Sequence, residues 1–233
     1  MIAYIVINKH QPDYMHPMEK AIGHPGRTLF VLTDPDIEDI TTAKELESAV
    51  ATFIPSKRTE PDFHAGAARN YGYGYAKEMF KGTTTFVFLD GDRVPSIPFN
   101  EDSIEREVSG GAVLCLAKGG ETRQPGVTLN CNRFENGFFS CGFAITRDAA
   151  ESASMFQGGN LFHPDFDGYW GDEDRFLGNV LGHLGYTART YSGSLRLGGN
   201  ALTDSRYDKS IEYTRNVGVR MRLLRESGIP FLP

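Results

Sequence analysis

Two short acidic stretches hold the residues of this chain best suited to chemistry. In Phe86–Val94, four apolar residues run straight into Asp90-Gly91-Asp92. A continuous apolar run bounded by a turn signal suits a strand buried on both faces of a sheet. In open α/β sheets, ligands lie beyond the carboxyl ends of such strands. Two neighbouring carboxylates repel, and a hard cation with oxygen ligands, Mg²⁺ or Mn²⁺, balances them. Asp90 and Asp92 are therefore candidate metal ligands, with Gly91 letting the backbone turn tightly between them. An ordinary Asp-Gly hairpin turn accounts for the same residues. The second stretch is Trp170-Gly171-Asp172-Glu173-Asp174. Acids in the first turn of a helix stabilise its dipole, which explains one or two of the three. It leaves unexplained the only tryptophan of the chain, placed in a glycine-flanked loop where a sugar or base could stack on it.

Several other residues gain interest from the elements that carry them. A strand over Ile2–Ile7 ends at Asn8, and a strand over Arg27–Thr33 ends at Asp34, ahead of a helical stretch over Ile37–Val50. A helix opening at Ala67 places Arg69 in its first turn. A cation gains nothing from the dipole there, which argues for a functional arginine. Lys57 and Arg58 occupy the irregular segment before it, where loop cations could meet a diphosphate; His64 reads as structural. Ala67, Tyr71, Tyr75 and Met79 recur every four residues and predict the buried face of that helix. Val127–Thr146 reads as a hairpin turning at Asn136-Gly137. Its Gly142 leaves room for close approach to the backbone. Further helices are expected over Asp148–Phe156, capped by Asp148, over Asp172–Leu184 with Phe176, Leu177, Val180, Leu181 and Leu184 inward, and over Ser210–Ser227 with Ile211, Val217, Met221 and Leu224 inward. Gln157–Gly171 is too irregular for a core element. Strands alternating with helices predict an α/β fold with a mixed, mostly parallel central sheet flanked by helices.

Composition narrows the setting. The chain has 233 residues, 40% of them hydrophobic, enough for a substantial core. No apolar run approaches the roughly 20 residues of a membrane span, and Met1–Ile7 reads as a first strand, not a signal peptide. Three cysteines (115, 131 and 141) fit reduced thiols and a cytoplasmic setting better than a disulfide framework. The net charge of −6 disfavours indiscriminate nucleic-acid binding. Its distribution is uneven: Arg189–Arg225 holds eight basic residues against three acids, a segment that either faces solvent or meets phosphates.

An Ala-Arg-Asn-x-Gly helix start (Ala68–Gly72) followed by a strand ending in Asp-x-Asp (Asp90–Asp92) resembles the nucleotide-sugar glycosyltransferases of the GT-A fold, most closely family 2. Trp170–Asp174 resembles the Trp-Gly-x-Glu-Asp acceptor signature of galactosyltransferase-type members. The order and separation of the two motifs make the likeness fairly specific, and it spans most of the chain from Ile2 to about Gly199. The resemblance implies a single GT-A domain, with residues 1–95 binding the sugar nucleotide and residues 96–233 the acceptor. It implies transfer of a hexose, from a donor such as a uridine diphosphate hexose, to an acceptor hydroxyl, with inversion and with Mn²⁺ or Mg²⁺ on Asp92 and Asp90. Asn8, Asp34, Arg58, Arg69, Asp90, Gly91, Gly142 and Arg196 then face the donor. Trp170, Asp172 and Glu173 face the acceptor, and Asp174 is the general base. The pattern departs in one place. Ser194–Asn200 lacks the histidine that often completes the metal site, so Arg196 is the candidate to neutralise the diphosphate. The acceptor could be a glycan, a protein, a small molecule or, given the basic segment, DNA carrying a hydroxylated base. A nucleotidyltransferase or a non-catalytic sugar-nucleotide-binding protein is the alternative.

Overall fold

The computed structural model describes residues 1–56, 64–95, 98–116, 134, 142–168, 172–191, 197–198 and 209–230. Arg58, Trp170, Arg196 and the Asn136-Gly137 turn lie outside them.

Seven strands form one sheet: β1 (Ile2–Asn8), β2 (Thr28–Thr33), β3 (Ala49–Phe53), β4 (Thr85–Asp90), β6 (Ala112–Cys115), β7 (Phe143–Thr146) and β8 (Thr187–Thr190), in the order β3-β2-β1-β4-β7-β6-β8. Only β7 runs against its neighbours, pairing antiparallel with both β4 and β6. Two short strands, β5 (Val94–Pro95) and β9 (Leu197–Gly198), pair apart from it. The strands alternate strictly between two apolar layers. Ala3, Ile5, Val31, Phe86, Phe88 and Phe143 point to one layer, and Ile2, Tyr4, Val6, Phe30, Val87 and Leu89 to the other. Helix α3 (Ala65–Met79), α5 (Arg147–Phe156), α6 (Glu173–His183) and α7 (Lys209–Glu226) cover the first layer. Helices α1 (Met15–Ile22), α2 (Ile37–Ala43) and α4 (Glu101–Val108) cover the second. Both faces of the sheet are thus buried, which is why the central strands read as unbroken apolar runs. Among the described residues no helix is long and apolar enough to cross a membrane.

Several expectations need correction. The inward face of α3 is the small-residue row Ala68, Gly72 and Ala76, with Tyr73 beside it. Tyr71, Tyr75 and Met79 are instead 39%, 37% and 44% exposed. The reason is close approach: a Cβ on Gly72 would sit 2.8 Å from both Ile5 Cγ2 and Val31 Cγ2, so nothing larger fits between helix and sheet. Gly72→Ala should therefore lower stability by about 1–3 kcal/mol through overpacking, read as a lower urea midpoint at unchanged slope. Helix α2 ends at Ala43, and its cap is Asp36, in a capping box with Asp39. Thr146, not Asp148, caps α5, accepting from the Ala149 amide. Leu161, Phe162 and Phe166 in the irregular segment are fully buried core residues. On α6, Leu184 is 37% exposed. On α7, Asn216, Arg220, Leu223 and Leu224 face inward and Met221 is 38% exposed. Helix α4 escaped the sequence reading, although Asn100 caps it and two acids follow in its first turn.

Candidate functional site

The strand order reverses between β1 and β4, because the chain lays β2 and β3 on one side of β1 and then returns to its other side. Carboxyl ends on either side of such a switch leave a crevice where α/β folds bind ligands. Asn8 and Asp90 end those two strands. Asn8 is buried and closes the following turn, donating from Nδ2 to the Gln11 carbonyl at 3.0 Å and accepting from the Gln11 amide at 3.3 Å. Gly91 is needed for space, not for its conformational freedom. A Cβ there would lie 2.9 Å from Asn8 Nδ2 and 3.0 Å from the Ile7 carbonyl oxygen. Asp34, at the end of β2, adopts a left-handed backbone (φ 47°), and its amide donates to the Phe53 carbonyl at 2.9 Å. Gly142, entering β7, has φ 104°, a region only glycine occupies readily. Its carbonyl accepts from the Leu116 amide at 3.0 Å.

Arg69 ties this crevice to the second acidic stretch. Because α3 starts at Ala65, two residues earlier than expected, Arg69 lies in its second turn, buried and 5.4 Å above the Phe162 ring. One guanidinium nitrogen donates to Asp90 at 2.7 Å and the other to Glu173 at 3.4 Å. Burial opposes its charge, but Asp90 and Glu173 outweigh that, so the guanidinium stays charged. Asp92, two residues on, is 8% exposed, with Arg93 Nε 3.6 Å away.

The start of α6 gives its three acids different surroundings. Asp172 has a left-handed backbone (φ 71°) and makes no capping bond. Its carboxylate accepts from Arg220 at 2.9 Å and lies 3.5 Å from Arg175. Burial raises its pKa while the two arginines pull it down. Asp172 and Arg220 therefore form a buried ion pair holding α7 against α6, and Arg220 is not a solvent-facing member of a basic surface. Arg222 pairs with Asp165 in the same way, though nearer to solvent. Glu173 is 7% exposed, and its Oε2 is buried without a hydrogen-bond partner among the described residues. Burial and the adjacent Asp174 push it up to about 7, with Arg69 pulling the other way. Asp174 is half-buried, and its carboxylate accepts from the Arg175 amide at 2.7 Å. Burial raises its pKa, opposed by Arg69.

Beside Glu173 lies a cavity of about 160 Å³, walled by the start of α3 and the 160–167 segment. His64, read as structural, is buried at the head of α3 and hydrogen-bonds Asp167 at 2.8 Å. Three features were not anticipated from the sequence. They are the Arg69 bridge, the inward Arg220, and a cluster at the end of β1 in which His10 lies 3.1 Å from Asp39 and 3.6 Å from Asp36. The spacing of Asn216, Arg220 and Leu223–Leu224 on one helix face was the available signal for Arg220. The other two join residues too far apart in sequence for any periodicity to show.

The glucosyl-3-phosphoglycerate synthase of Mycobacterium tuberculosis, solved with Mg²⁺ and uridine diphosphate, superposes on this chain with a TM-score of 0.57 at 13% identity, over 99% of this chain and 80% of that one. The chain has a GT-A-like fold. A nucleotidyl transferase from Methanothermobacter thermautotroptrophicus also aligns, at 12% identity over 97% of this chain and 99% of that one, with a TM-score of 0.43. No protein-family model and no curated protein matches the sequence. Within this GT-A-like fold, the described site residues Asn8, Asp90, Gly91 and Asp92 gather around the carboxyl ends of β1 and β4. Arg69 and Glu173 join them, and Asp34 and Gly142 stand on neighbouring strands.

Proposed function

We propose that the protein is a glycosyltransferase that moves a sugar from a nucleoside diphosphate to an acceptor hydroxyl. The observation that carries this reading is the Asp90–Arg69–Glu173 bridge. It links a strand-end acid pair at the switch point to a buried carboxylate beside a cavity. The donor would lie across the β1–β4 crevice, with its nucleotide towards Asn8 and Asp34 and its sugar towards Gly142.

The donor set of the acid pair fits a hard cation. Asp92 and the Asp90 oxygen turned away from Arg69 offer oxygen ligands only, the preference of Mg²⁺ and Mn²⁺. Such an ion, when bound, supplies charge neutralisation for the departing diphosphate. The chain itself does the rest. Arg69 fixes Asp90 and Glu173 relative to each other, so donor and acceptor sites share one rigid link. Glu173 takes the proton of the attacking hydroxyl. We assign the base to Glu173, with Asp174 beside it, because Glu173 lines the cavity and loses its proton near neutral pH. A single in-line displacement with such a base inverts the anomeric centre.

The test is binding of a panel of nucleotide sugars by calorimetry, with and without Mg²⁺ or Mn²⁺. One donor should bind, and Asp92→Asn should abolish the divalent-dependent part of its affinity while circular dichroism stays unchanged. Equal affinity and metal response in wild type and variant would remove the cation from Asp92.

A further inference from the structure

The proposed transfer leaves the acceptor unnamed, and the cavity beside Glu173 narrows it. At about 160 Å³ it has room for one small hydroxyl-bearing group. Its walls are held in place. Asn70 grips the Phe162 backbone from both sides, donating to its carbonyl at 2.7 Å and accepting from its amide at 2.8 Å. Ala65, Gly66 and Ala67 form a small-residue wall, and a Cβ on Gly66 would already touch Phe162 and Glu173 at 3.4 and 3.5 Å.

The chemistry of the lining is one-sided. Among the described lining residues the formal charges are carboxylates, Asp167 and Glu173, accompanied by the neutral hydrogen-bonding groups of Asn160 and His163. Burial lowers the pKa of His163, which favours its neutral form. Three nearby arginines already face acids: Arg69 lies between Asp90 and Glu173, Arg220 against Asp172, and Arg222 against Asp165, while Arg215 donates to the Asp165 backbone carbonyl and to Asn216 Oδ1. Ionised carboxylates only accept hydrogen bonds, so they suit hydroxyl donors, and they repel a phosphate brought beside them. Asp167 is two-thirds buried, and His64 holds its Oδ1 at 2.8 Å. A carboxylate so held is pre-set to receive hydroxyls through its other oxygen.

We propose that this cavity is the acceptor subsite, that it takes an uncharged, hydroxyl-rich group such as a sugar ring or polyol, and that Asp167 selects it. This rests on the glycosyl-transfer reading, and it runs against the anionic acceptor suggested by the basic Arg189–Arg225 segment.

The experiment supplies the enzyme with its donor and four acceptor sets: free polyols and methyl hexosides, short neutral oligosaccharides, the same sugars bearing a phosphate, and duplex DNA containing 5-hydroxymethylcytosine. Product is read by mass spectrometry, and donor hydrolysis without acceptor is measured in parallel. Transfer to a neutral set is expected, with kcat/KM at least about tenfold above the phosphorylated counterpart. The first two sets distinguish a free small molecule from a glycan end. Asp167→Asn should raise the neutral acceptor's KM about tenfold with a much smaller change in kcat, and Asp167→Lys should shift preference towards the phosphorylated sugar. A wild-type preference for phosphorylated sugar or DNA overturns the proposal, as does an unchanged KM in Asp167→Asn. If the Asp167 variants do not fold, the wild-type panel alone decides. Donor hydrolysis without transfer to any neutral set overturns the acceptor assignment alone. Absence of hydrolysis and transfer with every donor overturns the glycosyl-transfer reading as well.

Discussion

Glu173→Gln should reduce turnover by about 10²–10⁴-fold while leaving donor affinity nearly unchanged, because a general base acts in the transition state and not in donor binding. The wild-type rate should rise with pH through about 7, where Glu173 loses its proton. The same substitution should change stability with the opposite sign. Burial raises the folded-state pKa of Glu173 above its unfolded value, so the group favours folding most at low pH. That contribution is lost as pH rises through about 7 and the buried carboxylate ionises. Glutamine stays neutral and can still accept from Arg69. Thermal unfolding should therefore find the variant more stable than wild type at pH 8, with the difference vanishing near pH 5. Loss of activity with gain of stability is the expected pattern for a carboxylate kept for chemistry. If Asp174→Asn proves the more damaging change, and the rising limb of the wild-type profile persists in Glu173→Gln, the base is Asp174.

Arg69→Met should have the second largest effect. It leaves Glu173 buried without its cation and frees Asp90 at the mouth of the crevice. Removing one partner of a buried ion pair costs about 3–5 kcal/mol, which for a chain of this length lowers Tm by about 6–20 °C. The loss should be greatest at pH 8 and smaller near pH 5. Without Arg69 the pKa of Glu173 rises further, and protonation then relieves the unpaired charge. Arg69→Lys should not restore activity, since a point charge cannot span Asp90 and Glu173 as the two guanidinium nitrogens do. A stable, active Arg69→Lys protein would show that the bridge is dispensable.

The parts of the fold that were legible in the sequence are those in which one local rule decides. The apolar run before Asp90 read as a strand covered on both faces, and the run over Ile2–Ile7 came out as β1, ending at Asn8. What failed was orientation. In α3 the aromatic residues make the more conspicuous period, yet the sheet selects small residues, because Gly72 must lie against Ile5 and Val31. In α7 the charge of Arg220 suggested solvent or a phosphate partner, and Asp172, 48 residues away in sequence, draws it inward instead. The site shows the same limit. Asp90, Asp92, Glu173 and Asp174 were recognisable as acids at the ends of elements. Arg69 read as a cation out of place at a helix start. That one guanidinium resolves both anomalies follows only from the return of the chain to β1 and the packing of α6 against that end of the sheet. Asp167 carried no signal, because its partner His64 lies 103 residues away and its loop has no period.

On the reading proposed above, the β1–β4 crevice and Glu173 belong to one sugar-transferring site. The most direct test of that reading is release of nucleoside diphosphate by the purified protein from each of a panel of nucleotide sugars in Mg²⁺ or Mn²⁺, comparing wild type with Asp92→Asn and Glu173→Gln. Diphosphate release from at least one donor is expected, lost in Asp92→Asn and on chelation, and sharply reduced in Glu173→Gln when acceptor is present. Release of pyrophosphate from a nucleoside triphosphate and a sugar phosphate, with no turnover of any nucleotide sugar, would contradict that reading.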